Sequence, residues 1–498
     1  MPRFNMATLV TPPLGVSYVA AAIKQAGHDV SLIDAVGGAI ETFSKHERGV
    51  LHGMRIEEIV EAIPSDTKCI GLSIQFSYEW PIGRQLLRRI RQRFSNAFLI
   101  AGGEHVSAVP ELCIESGGLD AAVLGEGEFT ACDLLAAYSR WGKNGLNTIA
   151  GIVYRNSDGE IVRTGQGQRA LDLGQIPRPA WDLIPLEEYL SRGFGFGVNR
   201  GRSMPVLASR GCPYQCTFCS NPQMWTTKWL ARDPDDLLDE ISELQKRYQA
   251  ENFDFYDLTA IVKRDWVLKF CQRILDRKLS FTWQLPSGTR SEAIDEEVSQ
   301  MLYKTGCRNI SYAPESGSDE TLAIIKKKIS KLKMLASIRG AVKSGMNVKA
   351  NFILGFPHER YRHVVQTFAF IMRAAVVGTH DISIWIFVPY PGCELFDELR
   401  VKGEIGDLND EFFYRLAAYA DVTETFSYSP HLRTSTLLTL RVVGMFLFYL
   451  VSWILRPWRP FRLLWNAVSG RVDSRSESAI RGMISRILST KRSSEPSY

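Results

Sequence analysis

Arg210-Gly211-Cys212-Pro213-Tyr214-Gln215-Cys216-Thr217-Phe218-Cys219-Ser220 is the stretch from which the rest of the chain is read. Three cysteines stand in a C-x-x-x-C-x-x-C spacing behind an apolar, strand-like run, Pro205 to Ser209. Gly211 and Pro213 mark a loop, and thiolates at these intervals can close on one metal centre from a single loop. Structural zinc normally takes four ligands, so three are one short. A four-iron cluster that keeps one iron open to a small molecule needs three. Two other readings stay open: three unrelated thiols, or a zinc site completed by a distant histidine. The nearest histidines in sequence are His105 and His358, so no fourth ligand is local.

Downstream of the loop, helical and strand periodicity alternate. Helices are expected over Asp235–Tyr248, Asp265–Arg277, Asp295–Lys304, Leu332–Ser344 and His363–Val376. Strands are expected over Phe253–Leu258, Phe281–Leu285, Ile310–Ala313, Val348–Leu354 and Ile382–Val388. With the run before Cys212 this makes six strands. A repeated βα unit closes into a full or partial parallel barrel with its chemistry at the strand C-termini. Three turns fall at such ends: Pro314-Glu315-Ser316-Gly317-Ser318, Gly355-Phe356-Pro357-His358-Glu359, and Pro389-Tyr390-Pro391-Gly392-Cys393-Glu394.

Upstream, Thr11-Pro12-Pro13-Leu14-Gly15 leads into a helix, Val16 to Gln25, that Gly27 is placed to end. Asp29–Asp34, Ile70–Ile74, Phe98–Ala101 and Ala121–Leu124 read as strands, and Met6 to Val10 could supply one more. Helices are expected over Ile82–Phe94 and from Gly127 through Tyr138. The strand ends carry Gly102-Gly103-Glu104-His105 and Gly125-Glu126-Gly127-Glu128. Alternating strands and helices imply a doubly wound parallel sheet, whose ligands sit beyond the strand C-termini where these glycines fall. Ile152–Arg155 and Ile161–Arg163 read as a hairpin about Asp158-Gly159, followed by a proline-rich connector.

Taken together, the cysteine loop, the βα repeat and the order of the glycine turns resemble radical S-adenosylmethionine (SAM) enzymes with an N-terminal cobalamin-binding domain. The resemblance covers about residues 10 to 400. It implies an α/β fold with a Rossmann-like, doubly wound B12-binding domain (1–145), a connector (146–204), a partial (β/α)6 TIM-type barrel (205–400) and a C-terminal helical region (401–498). It implies a [4Fe–4S] cluster on Cys212, Cys216 and Cys219. Phe218, Glu315, Ser316, Gly355, Phe356 and Pro357 become candidates for binding SAM. Pro13, Leu14, Gly15, Gly102, Gly103, Glu104, His105, Gly125, Glu126 and Gly127 become candidates for binding cobalamin. The implied chemistry is reductive cleavage of SAM to a 5′-deoxyadenosyl radical, with methylation of an unactivated carbon of a small-molecule or lipid-like substrate. The electron would come from a donor such as flavodoxin or ferredoxin. Competing functions are an oxidative cyclase or rearrangement enzyme of the porphyrin-cyclase kind, and a non-catalytic metal-cluster protein.

Some family motifs are altered or absent: His358 stands for the second glycine of a GxPGE-type turn, and Cys393 for the threonine of a PyPGT-type turn. The D-x-H-x-x-G motif, whose histidine ligates cobalt in methionine-synthase-like domains, is absent, as it is from many members of the resembled class. Where many members carry a Gly-Gly-Glu-like turn for the SAM amino group, this chain has Tyr256-Asp257-Leu258-Thr259-Ala260, with Asp257 or Thr259 as substitutes.

At 498 residues, two or three domains are expected, and 45% hydrophobic with 23% charged residues is ordinary for a globular chain. A net charge of +5 gives no argument for nucleic acid. Nine cysteines without paired spacings fit a reducing cytoplasm, and no signal peptide is read at the N-terminus. The longest apolar run, Val442 to Leu455, is shorter than the ~20 residues a spanning helix needs. Arg456, Trp458, Arg459, Arg462 and Trp465 border it, so residues 437–465 are read either as a peripheral membrane contact or as a helix packed on the barrel.

Overall fold

The computed structural model describes residues 10–421, 424–469, 472–474 and 477. Two sheets carry the architecture. The first has strands β1 (Cys69–Ser73), β2 (Phe98–Gly102), β3 (Ala121–Val123), β4 (Ile152–Arg155) and β5 (Ile161–Arg163) in that spatial order. β1, β2 and β3 run parallel; the hairpin β4–β5 adds two antiparallel strands at one edge, so the sheet is mixed. Alternation along β2 shows why helices cover both faces. Leu99 and Ala101 pack in one core cluster with Leu87 and Ile90 of a helix over Trp80–Arg93. Phe98 and Ile100 pack in another with Leu134 of a helix over Gly127–Trp141.

Helix α1 (Leu14–Gln25) is the one expected from Val16 onward, and Gly27, at φ +92°, follows its end. Asp29–Asp34 is not a strand. Its alternation serves packing, with Val30, Leu32 and Ile33 lying against core clusters, but it joins no ladder among the described residues. The strand proposed over Met6 to Val10 falls mostly outside the described residues.

The second sheet has six strands: β6 (Ser203–Val206), β7 (Asn252–Phe255), β8 (Thr282–Thr289), β9 (Cys307–Glu315), β10 (Asn347–Leu354) and β11 (Asp381–Ile386). They lie in sequence order, and every neighbouring pair is parallel. β6 and β11 remain edges, so this is the expected partial barrel. Its core is filled by residues such as Met204, Phe253, Trp283, Ile310 and Val348, none more than 1% exposed. Parallel strands buried on both faces need such near-continuous apolar runs.

Beyond the barrel, helix α2 (Thr434–Leu455) lies along the edge strand β11 and the helix over Tyr361–Val377. Gly444 makes the approach close: a Cβ there would stand 2.7 Å from Ile384 Cδ1 and 2.9 Å from Phe368 Cε1. An edge strand left open is a template for unwanted pairing, and α2 blunts it. Past Pro457 the chain continues as α3 (Trp458–Ser469).

Candidate active site

The cysteine loop follows β6 at the C-terminal end of the barrel. Gly211, at φ +84°, makes the turn, and a Cβ there would collide with the Lys228 carbonyl. The Cys219 N–H donates to the Cys216 carbonyl at 3.1 Å, folding the last two cysteines into one turn. The Thr217 N–H donates to the Ile325 carbonyl (3.1 Å), and the Thr217 carbonyl accepts from the Leu395 N–H (2.9 Å). All three cysteines are half-buried free thiols. Among the described residues, no three His, Cys, Asp or Glu side chains gather as ligands of a single ion. In a four-iron cluster each thiolate takes its own iron, so its ligands need not converge on one atom.

Two cations that sequence reasoning missed face this loop. Lys327 is buried and pairs with Glu315 at 2.9 Å. Arg290 lies over the Tyr214 ring, 3.4 Å from its centroid. Burial raises the thiols of Cys212 and Cys216, while the positive charges of Lys327 and Arg290 pull them back. Burial raises Cys219 too, and Glu104 adds to it. A soft, anionic donor set beside two cations fits an iron–sulfur cluster. The only sequence signal for Lys327 is the run Lys326-Lys327-Lys328; Arg290 has none.

The strand-end turns divide by role. Glu315 sits at φ +63°, the left-handed region that a non-glycine residue rarely adopts, with its carboxylate held by Lys327. Ser316, in contrast, turns away from the barrel mouth. Its hydroxyl lies 3.0 Å from Thr367 Oγ1 and accepts the Ser318 N–H, so it fastens the turn to the helix over Tyr361–Val377 instead of reaching a ligand. Phe218 and Phe356 come together with centroids 5.7 Å apart. The Phe356 ring is fully buried, so that turn offers a ligand its backbone, with Gly355 at φ +89° and Pro357 beside it. Glu359 Oε2 accepts the Gly355 N–H at 2.6 Å, while its buried Oε1 has no partner within the protein.

Burial pushes the Glu359 carboxyl up to about 7, against hydrogen bonds that lower it. A carboxyl raised on folding stabilises the fold fully below its unfolded value, and that stability is lost as pH rises through the folded value. The cofactor-free chain should therefore lose stability between about pH 4.5 and 7, and Glu359→Gln should flatten that slope in urea titrations across this range.

Asp257 is committed to the fold. Its carboxylate accepts Ser209 Oγ at 2.5 Å and the Ala208 N–H at 3.1 Å, bracing the strand that launches the cysteine loop. The Thr259 carbonyl accepts Trp229 Nε1 at 3.1 Å, leaving its buried hydroxyl without a protein partner.

The N-terminal glycine turns face this same end of the barrel. Thr11 hydrogen-bonds Tyr256 through their hydroxyls, setting the Pro13-Leu14-Gly15 turn beside β7. Leu14 is buried in the barrel-side core, whereas Gly15 is open. Gly103, at φ +111°, lies against the Ile74 carbonyl, and Gly102 stacks on Val123 of β3. Gly125, at φ +68°, accommodates the Met224 carbonyl, 3.3 Å from where a Cβ would stand, and Gly127 begins the following helix. Met224 belongs to a short helix, Asn221–Trp225, that leaves the cysteine loop and packs on Glu104–Ala108. Asn221 is 3% exposed, and neither amide atom has a protein partner. Glycine turns near a buried, orphaned amide fit a polar, extended cofactor such as a corrinoid between the two domains.

Three side chains assigned to cobalamin do other work. His105 is buried between Trp80 and Phe413, with Nδ1 2.9 Å from Ser77 Oγ; burial drives its pKa down to about 3. It is a core histidine. Glu104 accepts a hydrogen bond from Ser220, the residue after Cys219. Glu126 pairs with Arg169 (2.8 Å) and Arg210 (3.1 Å), and Arg210 also grips Glu128 at 2.5 Å. Arg210 opens the cysteine motif and stacks over Tyr18 and Trp225. The cysteine loop is thus fastened to the N-terminal domain on both flanks.

Residues 4–135 match the B12-binding domain family, and residues 206–371 match the Radical SAM superfamily. The chain is a cobalamin-type radical SAM enzyme. This radical SAM enzyme is 29% identical over 387 residues to an uncharacterized methyltransferase (PH0819) of Pyrococcus horikoshii, covering 78% of each chain. It is 26% identical over 401 residues to the anaerobic magnesium-protoporphyrin IX monomethyl ester cyclase of Rubrivivax gelatinosus, covering 80% of this chain and 68% of that one. Its fold matches the radical SAM methyltransferase TsrM of Kitasatospora setae with a TM-score of 0.62 at 16% identity, over 79% of this chain and 72% of TsrM. The family's cofactors are a [4Fe–4S] cluster, SAM and cobalamin.

Proposed function

We propose that this enzyme methylates an unactivated carbon of a small-molecule or lipid-like substrate. The observation that carries the reading is the seating of the three-thiol loop against the glycine turns of the B12-binding domain, through Arg210 on one flank and Ser220 on the other. In this reading residues 1–145 are the corrinoid domain and 205–400 the catalytic barrel, with a C-terminal region from 401 onward appended to it. When bound, the cluster and SAM supply a carbon-centred radical, and cobalamin supplies a methyl-transfer centre.

The protein's own residues hold and shield that chemistry. Cys212, Cys216 and Cys219 hold the cluster, and Lys327 and Arg290 offset the negative charge of three thiolates. The backbone of Gly355, Phe356 and Pro357, with Phe218 opposite, grips SAM. Glu359 Oε1 offers it an acceptor, and Glu315 is held in place by Lys327. The turns at Gly15, Gly102, Gly103 and Gly125, with Asn221, hold cobalamin. Fastening the domains together keeps water from the radical between them. The electron comes from a flavodoxin- or ferredoxin-like donor, and the reaction takes place in the cytoplasm.

The test is a labelled-methyl experiment. With methyl-labelled SAM and extracts of a strain lacking this gene, label should enter one metabolite, heavier than its precursor by one methylene. The second reading, oxidative ring closure, is favoured by the likeness to the Rubrivivax cyclase. It predicts SAM cleavage with no label in the product, and that outcome would displace methylation.

A further inference from the structure

Helices α2 and α3 form an apolar surface with one side fixed and the other uncovered. On α2, Leu437, Arg441, Gly444, Phe448 and Ser452 recur at helical spacing and are buried. Arg441 donates to the Asp421 carbonyl at 2.7 Å, and Arg456 donates to the carbonyls of Ala375 and Val376 at 3.1 Å each. Arg459 donates to the carbonyls of Thr379 and Gly378 and to Ser452 Oγ, each at 2.7 Å, pinning α3 to the base of the barrel. These anchors set the rotation of both helices. They leave Val442, Phe446 and Trp453 of α2, and Trp458, Phe461 and Trp465 of α3, between 41% and 72% exposed.

The charge on this surface has one sign. Between Thr434 and Ser469 there is no aspartate or glutamate, and of the four arginines Arg441 and Arg459 are buried, Arg456 is half-buried and Arg462 is exposed. Arg462 is exposed on α3 among the aromatic residues. Tryptophan, phenylalanine and arginine on one side of a short helix are the composition of segments that lie in a lipid headgroup layer. A two-fold contact with a second copy would set this cationic patch against itself, whereas an anionic lipid surface complements it.

The packing also decides between lying on and crossing a bilayer. At 22 residues, with an 18-residue stretch of mean hydropathy 1.9, α2 is long and apolar enough to span. Its inner side, however, is packed along β11 and the helix over Tyr361–Val377, which carries Arg362 and Arg373. A barrel with such charges cannot follow α2 into hydrocarbon. We propose that α2 and α3 seat the enzyme on an anionic phospholipid bilayer, with their aromatic residues in the headgroup layer and neither helix crossing it.

Flotation of the full-length, anaerobically reconstituted holoprotein tests this. Vesicles of phosphatidylcholine alone are compared with vesicles containing roughly a third phosphatidylglycerol. The protein should float with the anionic vesicles, and binding should weaken about tenfold as salt rises to roughly 0.5 M. The double variant Phe461→Ser/Trp465→Ser should bind at least about tenfold more weakly, with an unchanged circular dichroism spectrum. Phe446→Asp/Trp453→Asp should do the same through α2 alone. Protein that stays unbound with both vesicle types would overturn the proposal. Equal binding to both would remove its electrostatic half. A dimer in sedimentation velocity that the first double variant makes monomeric would assign the surface to a second copy instead.

Discussion

Cys216→Ala, purified and reconstituted without oxygen, is expected to hold iron only at background, against about four irons per chain for the parent. Reductive cleavage of SAM should fall below detection with it, because the two remaining thiolates, Cys212 and Cys219, cannot retain a cluster whose third ligand is gone. Cys271→Ala and Cys393→Ala are the matched controls. Both thiols are buried in core clusters, Cys271 in a barrel helix and Cys393 beside Phe396 and Phe413. These variants should keep full iron content and lose only the stability expected for a small core cavity, about 1 kcal/mol. Iron analysis and visible absorption separate the outcomes. SAM cleavage by Cys216→Ala at the parental rate would refute the ligand assignment.

The second large effect lies where the two domains join. Arg210→Met should destabilise the folded enzyme by about 3–5 kcal/mol, because it strands Glu126 and Glu128 without their shared cation in a buried setting. Arg169 still reaches Glu126, so Glu128 bears more of the loss. Adding Glu126→Gln and Glu128→Gln to Arg210→Met removes the stranded charges and should recover much of the stability. A chain with several domains need not unfold in one step, so the urea midpoint is best followed by probes in each domain. A single Arg210→Met variant as stable as the parent would show that the ion pairs are incidental to the docking.

Much of the barrel was legible in the sequence because each of its strands is a short apolar run set between amphipathic helices. Val348–Leu354 became Asn347–Leu354, and Asp235–Tyr248 became Pro234–Tyr248. The cysteine spacing was legible because its chemistry is local. What failed depended on partners far away in sequence. His105 sits in a glycine turn, as a ligand would, but Phe413, some three hundred residues later, closes over it. Glu126 looked like part of a cofactor turn until Arg210 and Arg169 claimed its carboxylate. Ser316 follows Glu315 directly, yet the left-handed backbone at Glu315 sends the two side chains to different neighbours, Lys327 and Thr367. Asp29–Asp34 alternates like a strand, but alternation specifies a buried face and not a hydrogen-bonded neighbour.

The ion pairs around Arg210 also bear on how the enzyme is made. In the proposed reading the corrinoid lies between the two domains, so one arriving after the chain had closed would have to part Arg210 from Glu126 and Glu128, and Glu104 from Ser220. Each parting exposes a buried charge to a gap that neither water nor cofactor has yet filled. A chain that meets the corrinoid while the two domains are still separate avoids that barrier. On that reading, corrinoid added to finished apoprotein should enter slowly even where it binds tightly.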